Sequence, residues 1–102
     1  MGESDRAIAD HTKAIERDPN FAAAYFNRGN AYGSKGEVDR AIADYTKAIA
    51  RDPKLVQAYF NRALAYYHKG EVDRAIADYD KVLEINPSDQ DAKEGLKRLG
   101  VT

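Results

Sequence analysis

The chain has 102 residues, enough for one small domain with a modest core. Its 16 basic and 17 acidic side chains leave a net charge of -1, so there is no electrostatic reason to expect nucleic acid or an anionic membrane as a partner. It has no cysteine, which removes disulfides and thiolate chemistry and fits a reducing compartment. Since its start lacks a signal-peptide core and no run reaches membrane-spanning length, the sequence predicts a cytoplasmic protein.

The first predicted helix runs from Glu3 to about Arg17, because apolar and small residues recur there on one helical face. Pro19 ends this helix, and Asn20 is a candidate N-cap for the next one. The second predicted helix runs from about Phe21 to Ser34, and the following Lys-Gly pair forms a tight turn.

The rest of the chain repeats this pattern. Helices are predicted at about Glu37 to Arg51, Leu55 to His68 and Glu71 to Ile85. A last helix is predicted from the N-cap candidate Ser88 to about Leu99, and its polar outer faces are typical of a cap at the end of a stack. The prediction is therefore six helices and no strand.

The same letters return at a fixed interval along the chain. Three segments begin with RAIAD and three end on a proline, at Arg6, Arg40 and Arg74 and at Pro19, Pro53 and Pro87. A fixed period of this size indicates one helical unit stacked on copies of itself.

These residues resemble the tetratricopeptide repeat family, whose pattern places small residues, aromatics and a proline at set offsets over a repeat of about 34 residues. The two full repeats fill those slots with Tyr25, Gly29, Tyr32, Ala41, Tyr45 and Pro53, and with Tyr59, Ala63, Tyr66, Ala75, Tyr79 and Pro87. The resemblance implies an all-α fold, a right-handed superhelical stack of antiparallel helix pairs. It divides the single domain 1–102 into a second-helix half-repeat at 1–21, repeats at 22–55 and 56–89, and a C-terminal capping helix at 90–102.

Arg28 and Arg62 stand where the family usually has leucine. A buried charge must be paired, and the second helices of the same repeats carry Asp44 and Asp78, with Asp10 at the equivalent place in the half-repeat. We predict structural Arg–Asp bridges, formed either within a repeat or backward to the preceding one. In the alternative interpretation the arginines hold an acidic ligand.

The sequence contains no catalytic arrangement. His11 and His68 have no second histidine or carboxylate at metal-ligand spacing, and no glycine-rich loop lies between a strand and a helix. We therefore expect no enzyme activity, no metal and no cofactor.

The resemblance implies a concave groove, lined by the first helices of the pairs, that takes a peptide segment of a partner protein. The residues at the corresponding positions combine amides with apolar side chains: Phe26, Asn27, Asn30, Phe60, Asn61, Leu64, Tyr67 and His68. The function implied is a non-catalytic protein–protein interaction module, with a partner that the sequence does not identify.

Some members of the family hold the C-terminal carboxylate of chaperones with a clamp of lysines or arginines and asparagines. Asn30 and Asn61 match the asparagines, whereas Phe26, Asp91 and Gly95 occupy the basic positions. We therefore expect an internal peptide segment as the ligand instead of a chaperone tail.

The alternative hypothesis is a self-assembling scaffold, either a fragment of a longer array or a designed array. The repeats are nearly identical, and the chain opens in mid-repeat, so the helix Glu3 to Arg17 lacks its partner. The last helix has the phase of a first helix and could cover it in a neighbouring molecule. Burying roughly 400 Å² of apolar surface yields on the order of 10 kcal/mol, close to the cost of association, so we expect weak head-to-tail contacts.

Overall fold

The computed structural model describes residues 2–101. Within that range the chain forms six helices and no strand: α1 (Gly2–Arg17), α2 (Ala22–Ser34), α3 (Val38–Arg51), α4 (Val56–His68), α5 (Val72–Ile85) and α6 (Gln90–Arg98). The predicted all-α fold is confirmed. Each helix packs on the next in chain order, and α2 also contacts α4, which gives a stack 42 Å long. None of the described helices has the length and apolarity needed to cross a membrane.

The turns inside the two full repeats depend on glycine. Gly36 and Gly70 have φ angles of 80° and 82°, a left-handed conformation that costs glycine no steric strain. Directly after them, the N–H of Glu37 donates to the carbonyl of Tyr32, and the N–H of Glu71 donates to that of Tyr66, both at 2.9 Å. These bonds satisfy carbonyls at the ends of α2 and α4 and send the chain back antiparallel.

The predicted N-caps at Asn20 and Ser88 are wrong. The N–H of Asn20 donates to Asp18 Oδ1 at 3.1 Å, so this residue belongs to the turn before α2. The hydroxyl of Ser88 likewise donates to Asn86 Oδ1 at 3.1 Å. Asp and Asn side chains before a proline form such turns readily, and they delay each helix start by about one residue.

Asp89 is the residue that caps α6. Its Oδ1 accepts the N–H of Ala92 at 2.9 Å, the usual bond between an N-cap side chain and the first turn. At the start of α2 the N-cap position belongs to Phe21, which makes no side-chain cap bond.

The core consists mainly of alanine and tyrosine. Small residues let the helix axes approach closely, and each repeat tyrosine presses its ring against them. The buried apolar residues are Ala24, Tyr25, Ala31, Ala41, Tyr45, Ala48, Ala58, Tyr59, Ala63, Ala75, Tyr79, Val82, Ala92 and Leu96. A Cβ placed on Gly29 would lie 2.8 Å from Cε1 of Tyr45, and one on Gly95 would lie 2.5 Å from Cζ of Tyr79. These glycines therefore make room for aromatic rings.

A larger side chain in place of a buried alanine should overpack the contact between two paired helices. Ala75 on α5 is fully buried, so we expect Ala75→Leu to lower the free energy of unfolding by about 1 to 3 kcal/mol. Ala77 lies on the exposed face of the same helix, and Ala77→Leu is the matched control. Urea unfolding of the two variants checks this expectation, and equal stabilities would show that Ala75 does not hold α4 and α5 together.

Candidate functional site

All the predicted groove residues lie on two neighbouring helices. α2 carries Phe26, Asn27 and Asn30, and α4 carries Phe60, Asn61, Leu64, Tyr67 and His68. α2 and α4 contact each other, and we call the surface along these two helices the α2–α4 surface.

Three cavities lie along the α2–α4 surface. The first, of about 350 Å³, is lined by α1 and α2, including His11, Asn27 and Asn30. The central cavity, of about 360 Å³, includes Asn30, Asn61, Leu64 and His68. The third, of about 190 Å³, is lined by α2, α4 and the start of α6, including Phe26, Phe60 and Asn61. Tyr67 is an exposed residue that lines none of the three, and its ring lies beside His68.

Asn30 is the centre of a hydrogen-bond network that joins three helices. Its Oδ1 accepts the hydroxyl of Tyr45 from α3 at 2.5 Å and the Nδ2 of Asn61 from α4 at 3.0 Å. Burial raises the pKa of Tyr45, so its hydroxyl stays protonated and remains a donor. The network leaves Asn30 Nδ2 and Asn61 Oδ1 without an intramolecular partner in the described chain, and neither atom is buried.

Two phenyl rings flank these amides. The ring centroids of Phe26 and Tyr45 are 5.9 Å apart. Those of Phe60 and Tyr79 are 5.6 Å apart, in an edge-on contact. Each phenylalanine is half-buried, with one side on a repeat tyrosine. Packing of this kind fixes the rings in place before any ligand arrives.

The arginines at the leucine slots are paired within their own repeats. Arg28 donates from Nε and Nη2 to the two carboxylate oxygens of Asp44, both at 2.8 Å. Arg62 bonds Asp78 in the same way, at 2.8 and 2.7 Å. The bonds to the aspartates raise the pKa of each arginine. Asp44 is only 2% exposed. The pairs are therefore bidentate and mostly buried.

The backward contact of each arginine goes to a threonine. Arg28 Nη1 donates to Thr12 Oγ1 at 3.2 Å, and Arg62 Nη1 donates to Thr46 Oγ1 at 3.0 Å. Of the two pairing directions that the sequence left open, the structure has the one within a repeat. Asp10, the equivalent residue on α1, is exposed.

Two acidic residues that were not among the predicted groove residues line the third cavity. Asp89 and Asp91, at the start of α6, lie beside Phe26, Phe60 and Asn61. The signal in the sequence was Asp89 itself, since aspartate caps helices as well as the serine that precedes it. In the described part of the chain, no three residues of the metal-binding types are arranged to hold an ion.

The fold and the repeats match known proteins. A family model described as tetratricopeptide repeat matches residues 1–54 and 28–90. The first TPR of Spaghetti (RPAP3), bound to the HSP90 peptide SRMEEVD, has a TM-score of 0.92 and 29% identity, over 97% of this chain and 79% of that chain. The Arabidopsis OM64 TPR domain has a TM-score of 0.91 and 32% identity, over 96% and 81%.

A third similar structure is the second TPR domain of human RPAP3, in complex with the HSP70 peptide SGPTIEEVD. Its TM-score is 0.91 and its identity 29%, over 99% of this chain and 84% of that chain. A search of curated proteins finds no match to this chain.

Removing one partner of a buried pair should cost more than removing a surface charge. We expect Arg62→Ala to lower the free energy of unfolding by about 2 to 4 kcal/mol, because Asp78 would keep a buried charge with no partner. Arg98→Ala on the exposed face of α6 is the control and should cost much less.

The double variant Arg62→Leu with Asp78→Ala removes both charges and should recover part of that loss. Thermal unfolding measures all three variants. If Arg62→Ala leaves stability intact and instead abolishes ligand binding, the arginine is a ligand contact.

Proposed function

Because this chain belongs to the tetratricopeptide repeat family, we propose that it is a non-catalytic interaction module that binds a peptide segment of a partner along the α2–α4 surface. Similar domains with bound peptides support a binding role, since the first TPR of Spaghetti holds an HSP90 peptide and the second of human RPAP3 an HSP70 peptide. In this proposal the helical stack holds the first helices of its pairs in place, and side chains on those helices contact the peptide.

The observation that carries the proposal is the fixed orientation of two amides. Tyr45 donates to Asn30 Oδ1, so the Nδ2 of Asn30 is the atom left for a ligand. Asn61 donates to the same oxygen, so its own Oδ1 is left as an acceptor. One donor and one acceptor on adjacent helices match the C=O and N–H that an extended peptide backbone offers. This arrangement binds main chain without requiring a particular side chain.

Apolar groups on both sides supply the remaining affinity. Phe26 and Phe60 are held by tyrosine rings, and Leu64 is 38% exposed at the central cavity. Preorganised apolar side chains lose little conformational entropy when a ligand binds, which raises affinity.

An acidic C-terminal tail would find no cation on this surface. The residues that line the three cavities include no lysine or arginine, and Asp89 and Asp91 lie where a carboxylate ligand would be repelled. We therefore propose an internal segment as the ligand, and a peptide such as SRMEEVD should bind poorly.

Peptides selected from a random displayed library test the proposed surface. We expect Leu64→Ala to weaken the best selected peptide by about fivefold or more, the effect of removing a hot-spot contact. Val72→Ala is the matched control, because Val72 is 37% exposed, close to the 38% of Leu64, and lies outside the three cavities. Fluorescence anisotropy gives both dissociation constants, and equal values would place the peptide elsewhere.

A second candidate function, head-to-tail self-assembly, is favoured by the outer face of α6. A cavity of about 440 Å³ lies there, lined by Leu83, Lys93, Leu96, Lys97 and Val101. Four of these lie one repeat period after residues at the inner helix contacts: Ile49, Tyr59, Arg62 and Ala63. Val101 lies one period after the exposed Tyr67. Inside the stack, α5 packs on Tyr59 and Ala63. The outer cavity therefore has the position that a further second helix would occupy.

The α1 helix of a second copy is the occupant we propose for that cavity. α1 is a second helix by its repeat phase, and Asp10, the equivalent of Asp78, is exposed on it. His11 replaces the larger repeat tyrosine, which leaves space for the stem of Lys97. Leu96 stands at the position of Arg62, so Asp10 of one copy would pair instead with the adjacent Lys97 of the next.

A charge exchange tests this assembly. Light scattering from micromolar to millimolar concentration should show a rising mass for the native chain. Asp10→Lys or Lys97→Asp alone should abolish the rise, and both substitutions in one chain should restore it, because the pair is re-formed with its signs exchanged. A constant monomer mass of the native chain over this range would exclude head-to-tail assembly.

A further inference from the structure

We propose that the ligand of the α2–α4 surface is a cationic segment, in which the methylene stem of a lysine or arginine enters the cavity between Phe26 and Phe60 and its charged end contacts the carboxylates of Asp89 and Asp91. This inference rests on the proposed function and names the chemistry of its ligand. It depends on the charge of the surface, on where the chain's own cations are bound, and on the shape of the third cavity.

The charges along the α2–α4 surface have one sign. Glu3 lies at the α1 end, in the first cavity, and Asp89 and Asp91 lie at the α6 end, in the third. Between them the central cavity presents the amides of Asn30 and Asn61. Apart from two histidines, no basic side chain lines any of the three cavities, so the surface attracts positive charge along its length.

The arginines of α2 and α4 and the lysines that follow these two helices are bound to other carboxylates. Arg28 and Arg62 hold Asp44 and Asp78 in bidentate pairs. At the C-terminal ends of α2 and α4, Lys35 contacts Asp5 at 2.6 Å and Lys69 contacts Asp39 at 2.7 Å. Each of these lysines also contacts a glutamate, at 3.1 Å. They are therefore not free to neutralise the cavities.

The three cavity carboxylates, by contrast, have no cation. Glu3, Asp89 and Asp91 take part in none of the salt bridges within residues 2–101. Asp89 uses Oδ1 to cap α6, and its second oxygen has no hydrogen-bond partner in the described chain.

The third cavity has a shape that suits an amphipathic side chain. Val56 joins Phe26 and Phe60 in its apolar lining, and the two aspartates lie on the same cavity. A lysine or arginine places its methylene stem along such a lining while its charged end reaches the carboxylates. The faces of Phe26 and Phe60 add attraction for the cation. Asn61 lines this cavity too, so its free Oδ1 can accept a backbone N–H of the same segment.

A displayed library of random nine-residue peptides, selected on the intact chain, is the first arm of the test. We expect the recovered peptides to be enriched in lysine or arginine and depleted of aspartate and glutamate. The second arm measures the dissociation constant of the strongest recovered peptide by fluorescence anisotropy at low and high salt.

Substitution of both aspartates is the decisive variant. Asp89→Asn with Asp91→Asn keeps the cap of α6, since asparagine caps helices as well as aspartate, and removes both charges. We expect roughly two- to thirtyfold weaker binding at low salt, the effect of losing two exposed ion pairs. High salt should weaken binding to the native chain and leave the variant nearly unaffected.

The matched control changes net charge equally at other exposed positions. Glu16→Gln with Asp80→Asn lies outside the three cavities and breaks no salt bridge, so binding should be unchanged. If the peptides carry no basic bias, or if the aspartate variant binds as the native chain does, the cationic ligand is excluded. Loss of binding in Leu64→Ala would then still support the proposed groove. If no peptide binds the α2–α4 surface, both proposals fail together.

Discussion

The contact of Tyr45 with Gly29 connects the packing of the stack to the proposed ligand surface. A Cβ on Gly29 would lie only 2.8 Å from Cε1 of Tyr45, which is too close. Because glycine has no Cβ, α2 and α3 approach more closely than larger side chains would allow. That approach brings the Tyr45 hydroxyl to Asn30 and fixes the amide of Asn30, which in turn orients Asn61 on the next repeat. A packing constraint in the core therefore sets which polar atoms face a ligand.

The Arg–Asp pairs connect stability with the charge of the same surface. Leucine at these positions would have served for packing alone. Arginine there requires an aspartate, and the bidentate geometry uses both oxygens of each carboxylate within the repeat. The lysines at the helix ends are likewise committed to aspartates of the preceding second helix. The arginines of α2 and α4 and the lysines at their ends are thus paired with other carboxylates, whereas Glu3, Asp89 and Asp91 form no salt bridge within residues 2–101.

Much of the fold could be predicted from the sequence, because it depends on the helical spacing of apolar residues, on turn residues and on the repeat period. The six helices, their glycine turns and the alanine and tyrosine core all recur with the same period, so each copy supports the assignment of the other. The N-caps failed at Asn20 and Ser88, where turn formation by the preceding Asp18 and Asn86 competes with capping. The predicted groove residues lie on α2 and α4, and their role in binding stays a prediction.

The hydrogen bond between Asn61 and Asn30 could not have been predicted from the repeat period of the sequence. Asn30 and Asn61 are 31 residues apart, so they are not equivalent residues: Asn61 corresponds to Asn27, and Asn30 to Leu64. Their bond depends on how far one repeat is rotated against the next, which no single-repeat pattern specifies. The same holds for the third cavity, since Asp89 and Asp91 meet Phe26 only after the whole stack has formed.

Tyr79 shows how packing also restricts the ligand chemistry at the α6 end. Tyr45, the equivalent residue in the first repeat, lies against Gly29 of its own helix pair. The helix that follows, α4, carries Asn61. In the second repeat Ala63 replaces that glycine, and Gly95 replaces the asparagine. A Cβ at Gly95 would lie 2.5 Å from Cζ of Tyr79, so the ring has moved toward the helix that carries the glycine. A long basic residue at position 95 would have to displace that ring. The lack of a cation there is thus a consequence of core packing, and it favours ligands that bring their own positive charge.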